Sequence, residues 1–281
     1  MLGKNLSVGR ANVLVTALSP MVLPVGLLNW SLRPIQTQSD ADDYNNRLLV
    51  TGLEETFRHM GTHKVFAPNV VPASGRIVEQ RELDKKIRLG TNITLYRNHL
   101  VPADGVFIGT GQTFAMSSAG CPIIIATNGE LTVVAHAGRD SLIDRGAVMG
   151  KPTRRNVSVV GSIVESFKER GVQPIDMSMC MLFAIPPGVF EHSFKDEECG
   201  EYNEALFEFI DGRWADGAFK MNGSAFLDLE NIFEAQARDA GVSSVSVKDS
   251  LSDLPSLTHT RDGKNLENLD RRNLIAVKRN Q

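Results

Sequence analysis

A turn signal between two apolar runs constrains the fold of this chain more than any other feature of its sequence. Asn128-Gly129 is typical of a two-residue β-hairpin, because a type I′ turn needs positive φ at both central residues. The dipeptide separates two runs of strand-forming residues, 121–127 and 130–136. We therefore predict a hairpin in which Thr127 pairs with Glu130, so that the residue numbers of every pair sum to 257.

This predicted register places a thiol beside an imidazole. Cys121 and His136 become direct cross-strand neighbours, whose Cβ atoms lie about 4.5–5.5 Å apart on one face. That separation suits a thiolate–imidazolium pair, or two ligands of one metal ion. A nucleophile beside its base is typical of thiol catalysis. The alternative is a buried cysteine and a structural histidine, because free cysteine is among the most buried residue types.

The composition limits the class of protein. The 281 residues are 42% hydrophobic and 22% charged, which is typical of a globular chain, and we expect one domain over 1–281. The net charge of −3 gives no general attraction to nucleic acid or membranes, so the expected partner is a small-molecule substrate. Three cysteines are few and odd in number, which indicates a reducing compartment and predicts a cytoplasmic protein.

Residues 1–23 are expected to be an N-terminal extension or a first strand. Two cationic residues precede a mostly apolar segment, 11–28, which resembles the start of a signal peptide. However, Pro20 and Pro24 would break a helix there, so we predict strands. No run reaches the ~18–20 apolar residues of a transmembrane helix.

Hydrophobic periodicity predicts strands mixed irregularly with helices. Besides the hairpin, the predicted strands are 12–17, 25–31, 76–79, 92–96, 105–109, 113–116, 175–185, 242–247 and 273–277. The predicted helices are 44–60, 156–170 and 227–240, each followed by a glycine. Alternation of strands and helices after residue 136 favours a layered α/β domain.

The residues around the predicted Cys–His pair suggest further parts of a thiol site. Cys121 would be the nucleophile and His136 the base. Gly120 lets the backbone approach a ligand closely. The amides of Gly120 and Cys121 are candidates for an oxyanion hole, which typically contributes ~3–4 kcal/mol to transition-state stabilisation. Asp104, Asp140 or a backbone carbonyl could orient the imidazole, and the sequence leaves these alternatives open.

Three short motifs resemble the laccase-domain family. They are Pro102-Ala103-Asp104-Gly105, Gly120-Cys121-Pro122 and His136-Ala137-Gly138, within a resemblance that extends from Pro24 to the C-terminus. The resemblance implies an α/β/α layered sandwich with a mixed sheet. It also implies an enzyme that cleaves the C–N bond of a purine nucleoside, by phosphorolysis or deamination. In that family one cysteine and two histidines bind zinc or copper, and Cys121 and His136 occupy two of those positions.

Other positions depart from the family pattern. Ala73 replaces the third ligand, a histidine, while Gly120 replaces an aspartate and Arg139 replaces a tryptophan. Two ligands do not make a stable zinc site unless His63, His99 or another group supplies a third. No cofactor is therefore certain from the sequence, and zinc is the candidate.

These observations leave three functions open. If the chain keeps laccase-domain chemistry, Arg139 or Arg261 would bind phosphate. Residues 118–121, Ser-Ala-Gly-Cys, also resemble the metal-free Cys–His deamidase domain of cytotoxic necrotizing factor-type toxins, which shares this fold. That resemblance implies amide hydrolysis, with Cys121 as nucleophile and His136 as base. The third alternative is a degenerate binding protein without catalysis.

Overall fold

Three β-sheets flanked by helices make up the computed structural model, which describes residues 2–18, 37–39, 49–70, 74–118, 120–248 and 273–280. The strands are β1 Leu2–Val8, β2 Ala11–Leu18, β3 Lys64–Phe66, β4 Ile77–Val78, β5 Lys85–Leu89, β6 Ile93–Arg97, β7 Gly105–Ile108, β8 Thr113–Ser118, β9 Ile123–Thr127, β10 Thr132–His136, β11 Ser178–Leu182, β12 Glu191–Ser193, β13 Ala218–Met221, β14 Ser224–Leu227, β15 Ser244–Lys248 and β16 Asn273–Arg279.

The helices lie mainly in the second half of the described chain. The α-helices are α1 Leu49–His59, α2 Arg139–Leu142, α3 Arg145–Val148, α4 Val159–Lys168, α5 Gly200–Asp211 and α6 Leu229–Asp239, and the 3₁₀ turns are Gln80–Glu82, Pro174–Asp176, Pro187–Val189 and Ala215–Gly217. Within the described ranges, no helix combines the length and the apolarity needed to cross a bilayer.

Two of the sheets are mixed, and they carry the framework of the molecule. The seven-stranded sheet has the order β1-β2-β16-β8-β3-β6-β5, and the six-stranded sheet has the order β15-β11-β9-β10-β7-β4. Parallel pairs occur where β3 meets β6 and β8, where β11 meets β15 and where β4 meets β7. The small sheet, β12-β14-β13, is antiparallel.

The two mixed sheets pack face to face. Val13 and Ile275 of the seven-stranded sheet share one apolar cluster with Ile123, Ile125 and Val134 of the six-stranded sheet. The outer face of the seven-stranded sheet packs on α1, and that of the six-stranded sheet packs on α4, α5 and α6. The order of layers is therefore helix, sheet, sheet, helices.

The predicted fold class is confirmed, and most of the predicted elements are present. The chain is α/β with mixed sheets, and its β layer is double. The strand predicted at 25–31 and the first residues of the helix predicted at 44–60 lie outside the described residues. The region 1–23 contributes β1 and β2, while α5 and the small sheet were not predicted.

The predicted hairpin register is wrong. Thr127 pairs with Thr132 and Ile123 pairs with His136, so that paired numbers sum to 259 and a four-residue loop replaces the two-residue turn. Gly129 has a φ of 99°, but Asn128 does not adopt positive φ. Instead, Asn128 Oδ1 accepts hydrogen bonds from the amides of Glu130 (3.1 Å) and Leu131 (2.8 Å). A side chain that caps the loop in this way removes the need for a type I′ turn.

Candidate active site

Cys121 and His136 are in contact despite the changed register. The thiol and the imidazole are close enough for each to shift the pKa of the other. A Cβ atom added to Gly138 would lie 3.0 Å from Cys121 Sγ and 2.9 Å from His136 Nε2, so the sulfur and this nitrogen meet beside that glycine. His136 is only 4% exposed, whereas Cys121 is half-buried. Cys121 is therefore the more exposed residue of the pair.

The contact is present because the true register differs from the predicted one by two residues, an even number. His136 lies opposite Ile123, and Cys121 comes two residues before Ile123. A slip of one residue would have moved the thiol to the other face of the sheet, but a slip of two keeps it on the same face. Cys121 is thus a diagonal neighbour of His136, at the point where the chain enters β9.

A hydroxyl group links His136 to a buried carboxylate. His136 Nδ1 lies 2.8 Å from Ser141 Oγ, which in turn donates a hydrogen bond to Asp104 Oδ1 at 2.7 Å. Because the hydroxyl proton goes to Asp104, the serine oxygen accepts from Nδ1–H. The direct distance from Nδ1 to Asp104 Oδ1 is 3.8 Å, which is too long for a hydrogen bond. Asp104 therefore orients the imidazole through Ser141.

Asp104 is held by the strand that it precedes and by a neighbouring loop. Its Oδ2 accepts hydrogen bonds from Ser74 Oγ at 2.8 Å and from the Gly75 amide at 2.6 Å. The carboxylate is fully buried, so these donors replace the water that a buried charge loses. The backbone amide of His136 also donates to the Asp104 carbonyl at 2.8 Å.

Two further residues position Asp104 and Ser141. Gly105 begins β7, and an added Cβ there would lie 2.6 Å from Ala135 Cβ, so the close approach of β7 to β10 requires glycine. Arg154 Nη2 lies 3.0 Å from the Asp140 carbonyl oxygen and 3.1 Å from that of Ser141. This arginine therefore fixes the short helix α2, which carries Ser141.

The electrostatics favour an ion pair at the dyad. Burial opposes ionisation of Cys121, but the adjacent His136 outweighs it, so the pKa of the thiol lies below its ordinary value. Burial likewise opposes protonation of His136, yet Cys121 and Asp104 raise the pKa of the imidazole to about 9. Each partner stabilises the charged form of the other. A thiolate beside an imidazolium is the reactive form of a catalytic cysteine.

The predicted oxyanion donors are only partly available. Gly120 has a φ of 141°, which glycine adopts readily, and its amide donates to Ser118 Oγ at 3.0 Å. Ser118 Oγ donates in turn to the Cys121 carbonyl at 2.8 Å. The Gly120 amide is therefore already used. The Cys121 amide has no hydrogen-bond partner in the described part of the chain, and it remains the candidate donor.

The other predicted site residues have separate positions. Asp140 does not orient the imidazole but pairs with Arg139, with 2.7 Å between Oδ1 and Nε. Arg139 itself lies at the start of α2, directly after Gly138. Ala73 and Arg261 fall outside the described residues, so their predicted roles stay predictions.

The described residues do not fit a zinc site. Cys121 Sγ and His136 Nε2 are two donors, whereas zinc sites in proteins use three or four protein ligands. Among the described residues, which include His63 and His99, no group of three histidine, cysteine or acidic side chains could hold a metal ion.

Three site residues were not predicted from the sequence: Ser141, Ser74 and Arg154. Ser141 follows His136 by five residues and reaches it only because Gly138 starts a helix directly after the strand. Ser74 and Arg154 approach from distant parts of the chain. No spacing rule marks such contacts.

Comparison with solved structures identifies the fold. The chain is similar to protein NMB0706 of Neisseria meningitidis, described with the family model DUF152 (TM-score 0.60, 15% identity, 99% of each chain covered). It is also similar to YlmD of Geobacillus stearothermophilus (TM-score 0.62, 16% identity, 97% of this chain and 93% of that one). YfiH of Bacillus licheniformis gives a TM-score of 0.55 at 14% identity, with 83% and 81% covered.

Sequence comparison alone finds no relative. No protein-family model matches the chain. No curated protein matches it either. The fold that the laccase-domain resemblance implies is nevertheless confirmed, because the chain shares the fold of these structures.

Proposed function

We propose that this protein is a thiol-dependent hydrolase that cleaves C–N bonds of amides. Cys121 is the nucleophile, His136 is the general acid and base, and Ser141 and Asp104 orient the imidazole. The observation that carries the proposal is the hydrogen-bond chain from the Asp104 carboxylate through Ser141 to His136, whose imidazole lies against the Cys121 thiol. Such a chain is the arrangement that activates nucleophilic cysteines.

The reaction follows from this arrangement in two steps. The Cys121 thiolate attacks the amide carbon to form a C–S bond, and His136 gives its proton to the departing nitrogen as the C–N bond breaks. The products of this step are an amine and a thioester. His136 then takes a proton from water, whose oxygen attacks the thioester carbon. The C–S bond breaks, a carboxylic acid leaves, and the thiolate is restored.

Acylation by an activated ester tests the nucleophile without knowledge of the natural substrate. We expect p-nitrophenyl acetate to release about one equivalent of nitrophenol in a burst, with the acetyl group on Cys121 by mass spectrometry. Cys121→Ala should abolish the burst, whereas Cys199→Ala, which removes another half-buried thiol, should retain it. An acetyl group distributed equally over both cysteines would contradict the proposal. Release of ammonia or an amine from a panel of amides then identifies the substrate.

A second candidate is cleavage of the C–N bond of a purine nucleoside, as the laccase-domain resemblance implies. The matching positions of Cys121 and His136 favour it, as does Arg139 beside them, which could bind phosphate. This candidate predicts release of the purine base from inosine or adenosine with phosphate, together with one bound zinc per chain. Elemental analysis and a base-release assay of wild type and Cys121→Ala test it directly.

The cellular location and the third candidate function also follow from the state of the thiol. A reactive thiolate is preserved in a reducing compartment, which supports a cytoplasmic location. If Cys121 proves inert to acylation and no nucleoside is cleaved, the degenerate binding protein becomes the better account. Fold alone does not decide among these functions.

A further inference from the structure

A second cluster of polar side chains lies next to the Cys–His dyad. Four elements contribute to it: Arg139 from α2, Arg145 from α3, His192 from β12 and Tyr202 from α5. The guanidinium carbons of Arg139 and Arg145 lie 5.5 and 4.5 Å from the centroid of the Tyr202 ring. Both cations therefore share one aromatic ring, and they lie within about 10 Å of each other.

The charges in this cluster do not balance. Asp140 pairs with Arg139, but within the described ranges Arg145 forms no ion pair. The Arg139 side chain is 24% exposed and Arg145 is exposed, so a ligand can reach both. Two like charges on one ring repel each other, and a bound anion would relieve that repulsion.

An unpartnered hydroxyl group points to the same conclusion independently. Tyr202 is only 6% exposed, yet its buried hydroxyl has no hydrogen-bond partner among the described residues. Burial raises the pKa of Tyr202, so the group stays protonated and remains a donor. Its electrostatic interactions with Arg139 and Arg145 place it among the cations. A buried donor without an acceptor is costly unless a ligand supplies one.

The cluster adjoins the reactive sulfur. Arg139 follows Gly138, where an added Cβ atom would lie 3.0 Å from Cys121 Sγ and 2.9 Å from His136 Nε2. The charge of Arg139 also acts on the Cys121 thiolate. In addition, Arg139 Nη1 lies 3.3 Å from His192 Nδ1, which fixes the far side of the guanidinium group.

We propose that Arg139, Arg145 and Tyr202 form an oxyanion-binding subsite that accepts a carboxylate or phosphate group of the substrate, close to the bond attacked by Cys121. This inference rests on the proposed function, and it narrows the substrate class to amides that carry a negative charge near the scissile C–N bond. Guanidinium groups bind both kinds of oxyanion through paired hydrogen bonds.

Two alkylating agents that differ only in charge test the subsite. Iodoacetamide is neutral and iodoacetate is anionic, and both transfer a two-carbon group to the thiolate with loss of iodide. With a free cysteine, iodoacetate is the slower reagent. We expect the ratio of iodoacetate to iodoacetamide rates at Cys121 to exceed that of free cysteine at least ~10-fold, and the iodoacetate rate to saturate. Constant ionic strength is needed because salt screens the effect.

Matched variants test whether the raised ratio of iodoacetate to iodoacetamide rates arises from the subsite. Arg145→Met should lower the rate ratio roughly tenfold, and Tyr202→Phe should lower it a few-fold. Arg213→Met is the control, since Arg213 also stacks on an aromatic ring, with 3.9 Å to the Phe209 centroid. It should keep the wild-type ratio. A wild-type ratio equal to that of free cysteine, without saturation, would overturn the proposal.

Competing anions show which oxyanion the subsite prefers. Protection from iodoacetate by inorganic phosphate supports a phosphate-bearing substrate, and protection by acetate supports a carboxylate. Protection by neither would overturn the subsite. Failure of the proposed function is separate, because it would appear as slow reaction with neutral iodoacetamide, whatever the rate ratio.

Discussion

At the scale of single residues, Ser141 is the most informative position, because its hydroxyl links two buried groups. The 3.8 Å between His136 Nδ1 and Asp104 Oδ1 is bridged by Ser141 Oγ. The carboxylate therefore influences the thiol through one hydroxyl group. A substitution of Ser141 alone therefore tests the effect of the carboxylate on the thiol, with Asp104 and His136 unchanged.

Ser141→Ala should weaken the dyad and the fold together. The alkylation rate of Cys121 by iodoacetamide at neutral pH should fall roughly tenfold, equivalent to ~1.4 kcal/mol. The free energy of unfolding should drop by about 1–3 kcal/mol, because two buried polar atoms lose their partner. Ser162→Ala is the control, since its buried hydroxyl bonds only the Ser158 carbonyl. An unchanged alkylation rate in Ser141→Ala would contradict the role of Ser141 as the link between Asp104 and His136.

Gly138→Ala should separate the sulfur from the imidazole. The added methyl group would lie 2.9 Å from His136 Nε2 and 3.0 Å from Cys121 Sγ, while the φ of −64° suits alanine. We expect slower alkylation of Cys121, with about 1–3 kcal/mol of destabilisation from overpacking. Gly188→Ala, where no atom lies within 4 Å of the added group, should change neither quantity. Equal alkylation rates in the two variants would show that the contact is unimportant.

At the scale of elements, the position of the hairpin was predicted correctly from the sequence, but its turn was not. Asn128-Gly129 does lie in the loop, yet the Asn128 side chain caps two amides and lengthens the loop by two residues. Backbone propensity alone cannot anticipate that side-chain bond. The contact between Cys121 and His136 was nevertheless predictable, because the error of two residues preserves the face of the sheet.

Gly105→Ala tests the positioning of Asp104 by strand packing. A Cβ atom at this position would lie 2.6 Å from Ala135 Cβ and 2.7 Å from the Val134 carbonyl oxygen, so β7 must move away from β10. We expect a loss of at least ~1–3 kcal/mol in urea unfolding, with slower alkylation of Cys121. A variant as stable and as reactive as wild type would refute this explanation of the glycine.

At the scale of the whole molecule, the two mixed sheets depend on segments far apart in sequence. The strand β16 lies between β2 and β8, and its residues Leu274 to Val277 are buried on both faces. Local periodicity predicted this strand, together with most other elements and the α/β class. It could not predict the pairing of β16 with β2, or that two sheets stack, because both depend on long-range contacts.

Removal of residues 273–281 should therefore abolish folding. Without β16, the strands β2 and β8 lose their shared partner, and the apolar clusters on both sides of the seven-stranded sheet are exposed. We expect insoluble protein, or a chain without a cooperative thermal transition by circular dichroism. Removal of Gln281 alone is the control and should have no effect. A cooperative transition after the larger deletion would contradict this view of the fold.

The pH dependence of Cys121 alkylation is the decisive measurement for the thiolate–imidazolium pair. Iodoacetamide is applied to a Cys199→Ser chain, and modification of Cys121 is followed by mass spectrometry. The rate rises as the thiol ionises, so the midpoint in the chain with His136 should lie below the ordinary thiol pKa of 9.0. His136→Asn removes the compensating charge while burial remains, so the midpoint should move above that value. A midpoint near 9.0 in both chains would contradict the thiolate–imidazolium pair.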